Sequence, residues 1–90
     1  MLSLSDIKDY LRLDGDEDEN LLIRLERFSR EEIENATGME YKEFENSETY
    51  ELAQLIIITD RYENRASQDI EFVANNILSS LYMKLKSSVI

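Results

Sequence analysis

The chain's most reactive-looking stretch is Asp60-Arg61-Tyr62-Glu63-Asn64-Arg65. Arg61 and Arg65 are four residues apart, so on a helix they share a face and repel unless an anion lies nearby. Two readings of this group stay open. Tyr62 can be a core-edge aromatic with the arginines paired locally, for instance Arg65 with Asp69. Alternatively the group meets another subunit, since arginine and tyrosine are enriched at interfaces. Other groups carry less chemistry. Asp14-x-Asp16-x-Asp18 imitates the start of a calcium loop. However, the sixth position is Glu19 rather than glycine and the twelfth is Leu25 rather than a bidentate glutamate. The glutamates Glu31, Glu32 and Glu34 have no partner base and read as a solvated helix face. Ser29 and Ser67 have no histidine to activate them, because the chain has none, and it also lacks cysteine. Thiolate chemistry, Cys-based zinc sites and the usual general base are therefore absent. No Gly-rich phosphate loop is present. No enzyme, cofactor or metal site is expected.

These residues must be positioned by a small fold. Ninety residues make one domain, and 42% hydrophobic content is enough for a modest core. With no proline and only Gly15 and Gly38, turn-rich β architectures are disfavoured and a few helices are favoured. The balance is strongly acidic, 20 Asp and Glu against 10 Lys and Arg, a net −10. Residues 1–45 carry 14 acids and 6 bases, and residues 46–90 carry 6 and 4. Such a surface repels phosphate backbones, so the chain is not expected to grip DNA, although it can stand beside it. There is no signal-like opening and no apolar run of membrane-spanning length, so an intracellular soluble protein is expected.

The expected fold is all-α, a small bundle of four helices with a long acidic loop between the second and third. Ser3 and Asp6 form a capping box for a first helix ending near Leu13, with Leu4, Ile7 and Leu11 on its inner side. Gly15 takes the turn, and Asp16 or Asp18 caps the next helix. That second helix runs from about Glu17 to Thr37. Its buried face is Leu22, Leu25, Ser29, Ile33 and Ala36, widened by Leu21 and Phe28, and Gly38 supplies the left-handed close. Glu26 and Arg30 pair on its wet side. Residues 39–48, with Glu40, Glu43, Glu45 and Glu48, read as a surface loop. A third helix spans roughly Thr49 to Ala66, burying Leu52, Ala53, Ile56, Thr59 and Tyr62, with Leu55 and Ile58 beside them. After a joint at Ser67 to Asp69, a fourth helix reaches about Lys86, with Val73, Ile77, Leu81 and Leu85 as its stripe and Leu78 and Tyr82 alongside. Residues 1–86 form the domain, and 87–90 form a flexible tail.

The order of these pieces resembles a known family. Leu4, then Ile7-Lys8-Asp9-Tyr10-Leu11-Arg12-Leu13-Asp14, an acidic turn, a long helix closing in Thr37-Gly38, and a third helix closing in Tyr62-Glu63-Asn64-Arg65 are similar to the tailed-phage head–tail connectors. These neck proteins are often labelled DNA-packaging proteins. The resemblance covers residues 2–66. The fourth helix departs from the family pattern, with Phe72-Val73 where a proline is frequent and Lys84 and Lys86 where an arginine is.

The resemblance implies a virion-neck adaptor present in the host cytoplasm before assembly. It implies a homo-oligomeric ring of about a dozen copies, whose head-to-tail interfaces need two complementary faces. Its partners would be the portal protein and a stopper or tail-completion protein, with DNA passing through without sequence-specific binding and no membrane involved. Arg61, Tyr62 and Arg65 facing Glu31 and Glu34 of a neighbour would form the subunit interface. Lys84, Lys86, Val89 and Ile90 would dock on the portal. The competing reading is a small acidic phage-encoded regulatory module that mimics DNA and inhibits a host protein.

Overall fold

The structure, a computed structural model, describes residues 2–44, 47–63 and 75–88. Among them are four α-helices and no strand: α1 (Leu4–Leu11), α2 (Glu19–Thr37), α3 (Glu48–Glu63) and α4 (Asn75–Ser88). The joint expected at Ser67 to Asp69, the start of the fourth helix and Val73 lie outside the described residues.

The capping box forms as the sequence dictates. The Asp6 N–H donates to Ser3 Oγ at 3.1 Å, and the Ser3 N–H donates to Asp6 Oδ2 at 3.0 Å. The helix ends differently from expectation. Arg12, not Gly15, takes the left-handed conformation, with φ 61°. The Leu13 N–H reaches the Lys8 carbonyl at 2.9 Å and the Arg12 N–H reaches Asp9 at 3.2 Å, closing a Schellman-type end. Arginine thus occupies a position that glycine would fill without strain.

Helix α2 begins at Glu19, two residues later than its composition suggests, and Asp18 at its N-cap makes no capping bond with its side chain. Gly38, with φ 73°, closes it as expected. Of the anticipated face, Leu22, Ser29 and Ile33 are buried, whereas Ala36 is exposed.

The long acidic loop is not there. After Gly38 the chain winds into a short 3₁₀ turn, Tyr41–Phe44, that leads into α3. Phe44 is only 3% exposed and stacks on Tyr50 at 5.2 Å, while Tyr41 meets the Tyr50 ring edge-on at 5.3 Å. Three aromatic rings therefore pull the segment into the core, and Glu40 and Glu43 merely coat its outside.

Ser47 caps α3 by accepting the Tyr50 N–H at 3.1 Å. The buried side of α3 is Tyr50, Ala53, Gln54, Ile57 and Ile58, rotated from the expected stripe. Leu52 is 43% exposed, because neighbours cover α3 from two other directions. On α4, Leu78 and Leu85 carry the burial and Ile77 is 58% exposed, again a rotation of the stripe.

Helices α2 and α3 run antiparallel, since Asp18 meets Tyr62 at one end and Ser29 meets Gln54 further along. Two core clusters flank this pair. One joins Ile33, Phe44, Tyr50, Ala53 and Ile57 to Leu78 and Leu85 of α4. The other joins Leu22 and Ile58 to Leu2 and Ile7 on the α1 side. Each fully buried aliphatic side chain contributes about 1.5–3 kcal/mol relative to exposure, so both clusters matter to a chain this small. The neighbours Ile57 and Ile58 serve different clusters, which places α1 and α4 on different sides of α3.

Candidate subunit interface

Local helix geometry decides which of the singled-out side chains can meet a partner. Arg61 is exposed on the last turn of α3, with its guanidinium carbon 5.4 Å from the Phe28 ring centroid. Tyr62, one residue on, turns inward. It packs against the α1-side cluster, and its hydroxyl donates to Asp18 Oδ2 at 2.5 Å. Tyr62 is therefore tied to its own subunit. Arg65, and with it the pairing to Asp69, lies outside the described residues.

On α2, Glu31 is exposed, but Glu34 is half-buried and its carboxylate accepts the Tyr41 N–H at 3.2 Å. Glu34 thus braces the 3₁₀ turn. Lys84 and Lys86 are both exposed on α4, and Val89 and Ile90 lie outside the described residues. Of the expected interface residues that are described, Arg61 and Glu31 keep outward-facing charge.

The Glu26–Arg30 pair is not on a wet face. It is largely shielded, and the Arg30 guanidinium lies 4.1 Å over the Tyr41 ring, linking α2 to the 3₁₀ turn. Glu26 Oε2 and Arg30 Nε are buried without hydrogen-bond partners among the described residues. The shielding follows from Tyr41 folding back, which helix periodicity does not foretell. Together Ile23, Glu26, Arg27 and Arg30 of α2 wall a cleft of about 310 Å³ whose other side is Leu2, Leu4 and Ile7.

The acidic run at the start of α2 is held by partners that sequence reasoning missed. Lys8 Nζ donates to Asp16 Oδ1 at 2.7 Å and to Glu19 Oε2 at 3.0 Å. The bond to Asp16, then that to Glu19, raises the Lys8 pKa above its ordinary value. Asp16 is lowered, chiefly by the same bond from Lys8. The only available signal was a lone lysine eight residues before an acidic turn, too far for helical pairing rules. Asp16 bonds to Lys8 and Asp18 to Tyr62, so these carboxylates are directed to protein donors. No group of three metal-ligating side chains is gathered among the described residues.

Residues 1–87 match the family of phage gp6-like head–tail connector proteins. The chain belongs to this family. No curated protein and no solved structure matches it. For a connector, the geometry above is apt. A rigid two-cluster core fixes the backbone, and charged side chains such as Arg61, Glu31 and Lys84 are presented outward. The connector family is structural in character and its place is the virion neck. No helix among the described residues is long and apolar enough to cross a membrane.

Proposed function

We propose that this connector assembles as a ring of about a dozen copies that joins the portal to a stopper or tail-completion protein. The observation that carries the reading is the family match along residues 1–87. The helical subunit with charged side chains on several outward faces supports this reading. Arg61 of one copy faces Glu31 of the next, with Arg65 adding to the cationic side. Tyr62 and Glu34 support that contact from inside their own subunit. The end of α4, with Lys86 and the sequence onward to Val89 and Ile90, faces the portal, whereas Lys84 turns toward the neighbouring copy. A net charge of −10 keeps DNA from adhering as it passes through the ring.

A DNA mimic would need carboxylates spaced regularly along one exposed face. The outward side of α2 instead places Arg24 and Arg27 ahead of Glu31, which disfavours that reading. Mass spectrometry and electron microscopy of purified phage necks test the proposal. The chain is expected in stoichiometric, ring-forming amounts; its absence from the necks would overturn the connector reading.

A further inference from the structure

The described part of α4 carries Lys84 and Lys86 and no acid, in a chain of net charge −10. Its outward side also bears the two most exposed large apolar side chains among the described residues, Ile77 and Met83, the latter 71% exposed. The outward side of α4 therefore offers a partner both cationic charge and exposed apolar surface. On another side of the molecule, α1 turns Asp6, Asp9 and Tyr10 outward, with Tyr10 49% exposed. One face is cationic and apolar; the other is anionic and aromatic.

We propose that the outward face of α4 in one copy docks on the outward face of α1 in the next, making a head-to-tail contact. This rests on the ring reading and names the faces that carry it. Three observations support a second copy as the occupant. First, α1 and α4 pack into separate core clusters, so they offer the two different faces a heterologous interface needs. Second, the charges complement: Lys84 meets Asp6 and Asp9, and Met83 meets Tyr10, a favourable sulfur–aromatic contact. Third, the helices bearing Arg61 and Glu31 pack beside these two elements, α3 on α4 and α2 on α1. Arg61 stands over Phe28, which packs on the same cluster as Leu78 and Leu85. Glu31 lies one turn beyond Arg27, which walls the cleft beside α1. Lys84 and Lys86 are about 160° apart around the helix with Met83 between them, so Lys84 and Met83 serve the neighbour while Lys86 lies at the portal edge of the contact.

The absence of cysteine gives a clean cross-linking test. Tyr10→Cys and Met83→Cys, both at exposed positions, are made singly and together, with Leu52→Cys/Met83→Cys as a control. A short bismaleimide is added at rising protein concentration. The Tyr10→Cys/Met83→Cys chain is expected to give a ladder of dimer, trimer and higher species, while each single variant stays monomeric. Lys84→Glu or Asp9→Lys should each weaken the ladder about fivefold, and combining them in one chain should restore it. Dimers from Met83→Cys alone, or a ladder no stronger than the control's, would overturn the contact. Rings seen in phage necks without this ladder leave the connector function standing and remove this interface. A ladder from a chain absent from necks does the reverse.

Discussion

At the scale of single residues, two tyrosines show how the same hydroxyl can matter in opposite ways. The Tyr62 hydroxyl ties α3 to Asp18. Tyr62→Phe is expected to cost about 0.5–1.5 kcal/mol in urea unfolding. Asp18→Asn should add little in that background, because the cycle isolates one bond. The Tyr50 hydroxyl is buried with no partner among the described residues, and burial pushes its pKa up. Tyr50→Phe should therefore be neutral or raise stability by up to about 1 kcal/mol, since no bond is lost and a desolvated polar atom is removed. A loss above that size would show that the hydroxyl has a partner. The sequence marked Tyr62 as important but could not choose between core and interface. The intrachain bond that holds it depends on where Asp18 lies, 44 residues away along the chain.

At the scale of elements, the ends of helices were partly legible. Ser3 with Asp6 and Thr37-Gly38 are local chemical signatures, and both behave as written. The left-handed close of α1 at Arg12 was not legible, because arginine gives no local signal for it. Replacing Arg12 with glycine is expected to raise stability by about 0.5–1 kcal/mol, whereas Gly38→Ala should cost about 1 kcal/mol. No atom lies within 4 Å of a Cβ built at Gly38, so that cost is conformational rather than steric. Thermal melts of both variants check the contrast. The 3₁₀ turn gives a larger effect. Phe44→Ala should cost about 3–5 kcal/mol, because Phe44 is a buried ring stacked on Tyr50. A cost below about 1 kcal/mol would mean that residues 41–44 are the surface loop their glutamates suggested. The two buried stripes on α3 and α4 were found to within a rotation. Periodicity gives the existence of an apolar face, but the neighbours decide its angular centre.

At the scale of the whole molecule, charge makes stability depend on pH. Asp6 is held below the ordinary carboxylate range, first by the Ser3 backbone N–H and then by the Ser3 hydroxyl. Asp16 is lowered mainly by Lys8. Lowered folded-state values mean that these carboxylates stabilise the fold above the unfolded pKa, about 3.9, and that this is lost as pH falls through the folded values. Lys8 is raised, so its contribution holds below about pH 10.4 and is lost as pH climbs through its folded value. Circular-dichroism melts should show Tm falling below about pH 4, with a shallower fall in Asp16→Asn. An unchanged slope in that variant would remove the Lys8–Asp16 pair from the explanation.

The sequence by itself determined that the chain is all-helical and strongly acidic, that it lacks His and Cys chemistry, and that it resembles phage connectors. Those properties follow from composition, caps and periodicity, which act over a few residues. Only the tertiary structure decided that Tyr62 bonds Asp18, that Glu34 accepts the Tyr41 N–H, that Glu26–Arg30 is shielded, and that α1 and α4 pack into separate clusters. Each of these depends on which distant side chain arrives beside another, and the core packing of α2 against α3 settles that rather than any local propensity.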